Sequence, residues 1–570
     1  MVQVFRSAPS AHLARSLRST ARPRPADFGI ILAVLFILMS VPLLAQSPVA
    51  SLTGKVTDSQ NAGVPQATVL ARQIDTGQTF RGVSSGEGDY SIPSLPIGLY
   101  EVTVQVTGFK TFRRTDIRLE VGQRLRLDIP LELGTASETV TVTAEIGRVQ
   151  TDDSSLGSVV EVQRISDLPL NGRQPFSLVN IVAGVQPTSI SANGFADSSN
   201  QGFSRIRFNG GPTLGNQFFL DGSADTIPAI TEISVVPMAD AVQEFRVETN
   251  DLKAEFGQTS GGVVNLVTKS GTNQLHGSAY EFLRNDSLDA RNAFATQRDP
   301  VTGRIKPVLR YNQFGGTAGG PVVLPKLYDG RNRTFFFFGY EQWHYRSSSV
   351  QRATVMTPLE RTGDFSNTRD SLGKVIPVYD PATTTPNPNG SGYIRSVFPG
   401  NVIPSSRLDK LSLSVLNYMP QPNAQPDNAF THVNNYVSLA NSPIDQDVID
   451  TRMDHRISDM DSVFFRYTGT LNVTKANGYG LGVADPNARY DDRTNYNAMI
   501  GETHTFSANL LNELRFGVTR QDLTFQSPGV GQNWPQQLGY SSILPQDVFP
   551  AVTISGLIGV GYQSTYPEGY

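Results

Sequence analysis

The feature that most constrains how this 570-residue chain folds is a series of amphipathic segments that begins at residue 274. Each segment alternates apolar and polar side chains, which is the period of a β-strand with two different faces. The connections between segments are alternately long and short. That alternation is typical of an antiparallel transmembrane barrel, whose loops face outside and whose turns face the periplasm. The predicted strands are 274–283, 308–319, 333–343, 447–457, 462–473, 494–506 and 511–521.

Two segments show the alternation clearly. In VFFRYTGTLNV, the apolar face takes Val463, Phe465, Tyr467, Leu471 and Val473, and the polar face takes Arg466, Thr468, Thr470 and Asn472. In LLNELRFGVTR, the residues Leu514, Phe516 and Val518 oppose Glu513, Arg515 and Thr519. The strands of a soluble sandwich would alternate in the same way. The pattern therefore favours a barrel but does not exclude a sandwich. The segment FFFFGYEQW has aromatic residues on both faces, which predicts a strand that crosses an aromatic girdle or packs on an inner domain.

Composition narrows the class of protein. Charged residues make up only 17% of the chain, while Gly and Pro are abundant, which suits turn-rich β-structure. The formal net charge of −4 argues against a nucleic-acid-binding protein. The chain has no cysteine, which excludes disulfides, zinc ribbons and cysteine nucleophiles.

The N-terminal residues 1–45 have the pattern of a cleaved signal peptide. Five arginines precede the apolar run FGIILAVLFILMSVPLL, and a small residue, Ala45, stands at the expected cleavage point. A transmembrane anchor is the alternative, because the run is close to the shortest length that spans a bilayer. We expect export from the cytoplasm.

Residues 50–134 contain short strands separated by Gly and Pro turns. Val102, Val104 and Val106 share one face of such a strand, so a small β-sandwich is predicted. The stretches GKVTDSQNAGVPQATV and GDYSIPSLPIGLYEV resemble the carboxypeptidase regulatory-like domain, a non-catalytic accessory sandwich.

A β-prone strip stands in the predicted linker 135–150. Its residues are Glu138, Thr139, Val140, Thr141, Val142, Thr143 and Ala144. Taken by itself, the strip is an edge strand or a linker. It also resembles the TonB box, which implies strand addition by a TonB-like periplasmic energy-coupling protein.

The stretch AEFGQTSGGVVNLVTKSGTNQLHGSAYEF joins two kinds of pattern, a glycine-flanked apolar strand and the first alternating segment. Together with NGR and FNGGPTLGNQFFLDGSAD, it resembles the plug domain of TonB-dependent outer-membrane receptors, here residues 151–270. The runs HGSAYEFLRNDSLDARNAF, RYNQFGGTAGGPV and RTFFFFGYEQW resemble the Oar-like branch of these receptors. The fold class implied is mainly β: a small β-sandwich, an α+β plug domain, and in 271–570 the N-terminal part of an outer-membrane barrel.

Receptors of this type need about 22 strands, many more than are predicted here. We therefore expect the chain to lack C-terminal barrel strands. The loop 344–446 is rich in Pro and Asn; it is either a lid that contacts ligand or an inert excursion, and Leu408, Leu411, Val415 and Met419 predict one short helix in it.

Patterns that would indicate an enzyme are weak. Gly82-Val83-Ser84-Ser85-Gly86 matches G-x-S-x-G, but it lies in a turn between sandwich strands rather than in a strand-to-helix elbow. Asp445, Asp447 and Asp450 are better explained by solvation of a strand end than by calcium. No catalytic residue, cofactor or metal is predicted.

The resemblance implies an outer-membrane receptor in contact with lipid that imports an unidentified extracellular ligand: a siderophore, an oligosaccharide or a peptide. Nucleic acid is not an expected partner. A structural or adhesive surface barrel and a secreted carbohydrate-binding sandwich protein remain as alternatives.

Overall fold

The computed structural model describes residues 49–135, 139–142, 156–161, 164–165, 168, 170–187, 206–227, 232–252, 256–257, 259–291, 293, 303–304, 306, 308–507, 510–539 and 549–561. The predicted signal peptide and three residues of the strip, Glu138, Thr143 and Ala144, lie outside the described residues.

The N-terminal strands form a sandwich of two sheets. One sheet has the order β4-β1-β7, with β8 also pairing β1, and the other has the order β3-β2-β5-β6-β9. The predicted alternation is confirmed in β5, where Tyr100, Val102 and Val104 are fully buried. The strands are β1 (Ala50–Thr57), β2 (Thr68–Gln73), β3 (Thr79–Val83), β4 (Asp89–Leu95), β5 (Gly98–Gln105), β6 (Thr111–Leu119), β7 (Arg124–Arg126), β8 (Ile129–Pro130) and β9 (Thr139–Val142).

This sandwich has a hydrophobic core of its own, formed by buried side chains between Ala50 and Leu131. We therefore expect residues 49–150, produced alone, to give a β-type circular dichroism spectrum and a cooperative thermal melt. Leu52 is 1% exposed, so Leu52→Ala should lower the free energy of unfolding by about 2–5 kcal/mol. A disordered spectrum of the unmodified fragment would show that the sandwich depends on the rest of the chain.

The next unit, here called the plug, is built around a five-stranded sheet with the order β10-β17-β18-β13-β14. Its helical part includes short 3-10 helices at Asn171–Arg173, Pro175–Ile181 and Ala239–Ala241. Its strands are β10 (Leu156–Glu161), β11 (Val185–Pro187), β12 (Ile206–Phe208), β13 (Gln217–Leu220), β14 (Ser223–Ala224), β15 (Thr226–Ile227), β16 (Glu232–Ile233), β17 (Val242–Asn250) and β18 (Val263–Thr268).

Glycines allow the plug to end and the next sheet to begin within a few residues. A Cβ atom at Gly262 would lie 2.4 Å from the ring of Phe208, so β18 starts where only glycine fits against the plug core. A Cβ atom at Gly271 would lie 2.4 Å from the carbonyl oxygen of Phe336, so the chain leaves the plug pressed against a neighbouring strand. The glycine-rich stretch of the sequence is thus the crossing point between two sheets.

The remaining long strands form one antiparallel sheet, here called the wall, with the order β19-β20-β23-β27-β28-β29-β30; β26 also pairs β23. All seven predicted strands are confirmed, although several extend further. The wall strands are β19 (His276–Asn285), β20 (Leu309–Pro321), β23 (Thr334–Ala353), β26 (Tyr436–Asn441), β27 (Ile444–Arg456), β28 (Asp461–Ala476), β29 (Arg489–Ser507) and β30 (Leu510–Gln526). Two small antiparallel pairs lie in the connections: β21 (Val323–Leu324) with β22 (Tyr328–Asp329), and β24 (Thr385–Pro386) with β25 (Tyr393–Ile394).

The wall has one polar face towards the plug and one apolar face away from it. Arg466, Thr468 and Asn472 are buried on the inward face of β28, as the alternation predicts. Apolar side chains on the outward face are exposed, and they are Phe338, Ile449, Met453, Phe465, Leu471, Ile500, Leu514, Phe516 and Val518. Apolar side chains outside and polar ones inside are the arrangement of a barrel wall in lipid.

The aromatic run of β23 is explained by this division. Phe337 packs on Met238 and Ala241 of the plug, whereas Phe338, on the other face of the strand, is 46% exposed. Of the two predictions for FFFFGYEQW, packing on an inner domain is confirmed.

The two ends of the wall carry different connections, short turns at one end and longer loops at the other, as the alternation in the sequence predicts. At the short-turn end, the connections are 322–333, 457–460 and 508–509; at the long-loop end, they are 286–308, 354–443 and 477–488. No helix in the part of the chain that the structure describes is long and apolar enough to cross a membrane.

Most of the predicted loop 344–446 is folded. Segments from 354–435, 477–488 and 527–561 share a hydrophobic core, and together they are called the cap. Its helices are α1 (Pro358–Arg361), α2 (Lys410–Leu416) and α3 (Trp534–Gln537), with 3-10 helices Pro381–Thr383, Pro399–Asn401, Ser405–Arg407 and Gly482–Ala484. The predicted short helix is confirmed as α2, which Asp409 caps and whose Val415 is buried.

Candidate functional site: contacts of plug, wall and sandwich

A buried ion cluster joins the plug to the wall. Asp221 of the plug accepts hydrogen bonds from Arg452 Nη1 at 3.0 Å and from Arg466 Nε at 3.2 Å, both on inward-facing positions of the wall. Its carboxylate also accepts from the backbone N–H and the hydroxyl of Thr268, at 3.0 and 2.8 Å. Four donors therefore converge on one plug carboxylate, and the exposed fraction of Asp221 is only 1%.

The local sequence explains how the Asp221 side chain reaches the wall. Asp221 and Gly222 form the two-residue turn between β13 and β14, and both have positive φ, 51° and 86°. Asp-Gly is the favoured pair for a type I′ hairpin, in which both central residues need positive φ. The turn therefore projects a carboxylate from the tip of a tight hairpin.

Both Nη atoms of Arg466 also donate hydrogen bonds within the same contact. Its Nη1 donates to the carbonyl oxygen of Asn497 at 2.7 Å, and its Nη2 donates to the carbonyl oxygen of Leu220 at 2.9 Å. A buried arginine is stable only when paired and fully hydrogen-bonded, and breaking such a pair costs about 3–5 kcal/mol. The cluster thus locks the plug hairpin on the wall.

Two further plug carbonyls bind amide and hydroxyl groups of the wall. Asn495 Nδ2 donates to Ser234 O at 2.9 Å, and Thr519 Oγ1 donates to Ala224 O at 2.7 Å. Nearby, burial raises the pKa of the Asp225 carboxyl to about 8, so this side chain is mostly protonated at neutral pH. The two carbonyl contacts add to the ion cluster in holding the plug on the wall.

A second anchor lies at the NGR sequence of the plug. Arg173 pairs with Asp240 at 2.8 Å, and its guanidinium lies 4.4 Å from the ring centre of Tyr280 on wall strand β19. Tyr280 in turn donates to Glu341 of the wall at 2.7 Å. The cation–π contact holds this plug segment against the wall, and the ion pair within the plug orients the guanidinium.

The sandwich docks at the short-turn end, on plug and wall alike. The N–H of Val121 donates to Glu244 of plug strand β17, and Arg118 lies 3.9 Å from the same carboxylate. Arg456 Nη2 of the wall donates to Thr79 O at 2.9 Å, and Ser94 Oγ donates to Glu513 at 2.7 Å. A cavity of about 230 Å³ lies between the three units.

Docking of the sandwich should depend on pH through Glu244. Burial raises the pKa of its carboxyl from 4.5 to about 7. The docked carboxyl holds its proton more tightly than the free one, so docking is strongest below about pH 4.5 and weakens as the pH rises to 7. Amide exchange at Val121, corrected for its intrinsic rate, should show protection that falls over this range. Glu244→Gln should remove the fall; the same fall in that variant would contradict the assignment.

The described part of the strip lies on the sandwich rather than on the plug. Its described residues, Thr139–Val142, form β9 and pair in parallel with β6, from Thr111↔Thr139 to Arg114↔Val142. The role of the strip stays a prediction.

The other residues considered from the sequence have structural roles. Ser84 Oγ is buried, accepts from Ala67 N at 2.8 Å and donates to Val64 O at 2.7 Å, so it stabilises a turn. Asp450 faces inward and accepts from Met238 N at 3.0 Å, whereas Asp445 pairs with Arg346 at 2.7 Å. These aspartates therefore bind separate partners.

In the described part of the chain, one group of three potential metal ligands comes together: Asp461, Glu502 and His504, with ligand atoms within 4.8 Å of one another. The hydrogen bond between His504 and Asp461 accounts for this arrangement, and we assign no metal to it.

Comparisons with known proteins agree with this architecture. Residues 267–570 match the family model of the outer membrane beta-barrel domain, and residues 51–132 match that of the carboxypeptidase regulatory-like domain. TonB-dependent transporter Oar of Myxococcus xanthus is 27% identical over 334 residues, which cover 58% of this chain and 29% of that protein. The chain thus spans less than a third of this curated relative. The predicted resemblance to Oar-like receptors and to the accessory sandwich is confirmed at this level.

Two solved structures are also similar. The outer membrane transporter YddB from Escherichia coli is 12% identical with a TM-score of 0.39, covering 65% of this chain and 39% of that one. The ferric enterobactin receptor PfeA from Pseudomonas aeruginosa is 12% identical with a TM-score of 0.30, covering 66% of this chain and 46% of that one.

Proposed function

Because this chain belongs to the outer membrane beta-barrel domain family, we propose that it acts in energised uptake of an extracellular substrate through a TonB-like coupling protein. The observation that carries the proposal is the plug, which is fixed to the polar face of the wall by the Asp221–Arg452–Arg466 cluster. An inner domain bound through ion pairs rather than through a continuous apolar interface can be released without exposing a hydrophobic core.

The two ends of the wall have different roles in this proposal. The cap lies at the long-loop end, which faces outside the cell, and contacts substrate there. The sandwich and the strip lie at the short-turn end, where a periplasmic protein reaches them. Uptake begins when the partner binds the strip and draws the plug away from the wall. Siderophores, oligosaccharides and peptides all remain candidate substrates, and no residue of the chain is assigned to substrate.

Uptake by cells producing the receptor tests the proposal. The probe is a panel of labelled ferric siderophores, oligosaccharides and peptides. Accumulation of one of them should require this protein and should collapse when the proton gradient is dissipated. Binding without accumulation would instead support an adhesive or structural surface protein. Recovery in the soluble fraction without detergent would support a secreted sandwich protein.

A further inference from the structure

The strip occupies a place in the sandwich that leaves one of its edges open. Strand β9 is the last strand in the sheet order β3-β2-β5-β6-β9, and its one strand partner is β6. Among the described residues, no strand pairs with the other edge of β9. An edge strand presents a row of backbone N–H and C=O groups, which is a template for pairing with another chain.

We propose that the sandwich is a platform that presents the strip to the coupling protein: β9 stays paired with β6 while a strand of the partner adds to its open edge. The partner strand would become the sixth strand of the five-stranded sheet. This inference rests on the proposed function and gives the accessory sandwich a role within it, as part of the partner's binding site.

Pairing with β6 prepares the strip for its partner. An isolated four-residue segment must be ordered at the moment of binding, and each ordered residue lowers the affinity. In β9, the backbone is already extended, and one of its two edges is already hydrogen-bonded. The partner therefore meets a preformed edge, and binding to it is tighter than binding to a free strip.

The platform is also fixed next to the plug. Arg118, at the end of β6, lies 3.8 Å from Glu161 in plug strand β10 and 3.9 Å from Glu244 in β17. Strand β10, which begins at Leu156, is the first plug element after the strip and lies at the edge of the plug sheet. A pull on the strip thus reaches the plug by two routes, along the chain into β10 and through the sandwich into the same pair of strands.

A reversible crosslink separates this arrangement from one in which the strip must leave the sandwich. The chain has no cysteine, and Arg113 and Thr141 are register partners across β6 and β9. Arg113→Cys with Thr141→Cys should therefore form a single disulfide, since paired Cα atoms in a sheet lie within disulfide range. The purified full chain is tested in detergent against the periplasmic domain of a TonB-like protein, with and without reductant. The two single-cysteine variants are the controls.

The crosslinked protein is expected to bind the coupling domain as tightly as the reduced protein or up to a few-fold more tightly. Deletion of residues 51–132 should weaken binding at least about 10-fold, because the strip is then no longer held extended. Loss of binding on oxidation that reductant restores would overturn the proposal, because it would show that β9 must leave β6. Tighter binding after the deletion would overturn it as well.

The same binding measurement separates failure of the proposed function from failure of the platform alone. If the reduced, unmodified chain does not bind the coupling domain at all, the proposed function and the platform both fail. If that chain binds and the oxidised double-cysteine protein does not, the platform alone fails.

Discussion

In the full-length receptor, Asp221→Ala is expected to loosen the plug and to make cells that produce the variant permeable to bulky solutes. The variant removes the carboxylate that accepts from Arg452 and Arg466 and leaves Arg466, which is 1% exposed, beside a cavity without its ion-pair partner. Breaking a buried ion pair on one side costs about 3–5 kcal/mol, which shifts an equilibrium between docked and released plug by roughly 10² to 4 × 10³-fold. The measurement is single-channel current in planar bilayers, together with sensitivity to an antibiotic too large for porins.

The chain offers matched controls for this variant. Asp522→Ala removes a carboxylate from a wall pair, Arg520–Asp522, whose side chains are 59% and 53% exposed. Exposed ion pairs contribute about 0–1 kcal/mol to stability, so the plug of the Asp522→Ala variant should keep the barrel closed. Asp221→Asn keeps an acceptor oxygen in the turn and should show an intermediate current. If the Asp221→Ala variant passes no more current than the unmodified receptor, the Arg173 anchor and the carbonyl contacts hold the plug without the ion cluster.

The wall could be predicted strand by strand because its two faces meet different environments. Residues such as Phe465 and Arg466 are neighbours in the sequence, yet one is exposed on the outward face and the other is buried against the plug. A period of two follows directly from this geometry, and it is visible in the sequence without any partner strand. Strand ends were harder to predict, since β23 continues past Trp343 to Ala353 to pair with β26.

The ion cluster could not be predicted in this way. Asp221 lies 231 positions before Arg452 and 245 positions before Arg466, and no local pattern joins them. Two signals were present, however. The Asp-Gly pair in FFLDGSAD indicates a tight hairpin turn, and Arg466 is a charged residue on the polar face of a strand otherwise occupied by Thr and Asn. Only the packing of one unit on another shows that the two signals belong to the same contact.

The folded core of the cap could not be predicted from the sequence for a related reason. This core brings together Met419, Ala484, Trp534 and Phe549, which come from three segments far apart in the sequence. Within any one connection, the apolar residues are too few and too irregular to indicate a core, and abundant Pro and Asn suggest a loop. The helix α2 was visible because four apolar residues recur at helical spacing.

In the full-length receptor, Val140→Pro is expected to abolish the proposed uptake while membrane insertion and substrate binding stay intact. Val140 lies inside the four-residue strand β9, paired in register with Phe112. Proline removes one backbone N–H and fixes φ, so it disrupts both pairing with β6 and addition of a partner strand. Barrel strands and cap lie elsewhere in the chain, so insertion and binding should not change.

The matched control is Val140→Ile, which keeps the β-branched shape and every backbone donor. Because strand addition depends on main-chain hydrogen bonds, this variant should transport at nearly the normal rate, whereas Val140→Pro should lose at least about 90% of transport. Labelled substrate is followed in energised cells, and surface binding is measured in the same cells after the proton gradient is dissipated. Normal transport by Val140→Pro would show that the strip is only a linker. Loss of insertion would show that it is a structural strand of the receptor, and strand addition at β9 would then no longer explain how energy reaches the plug.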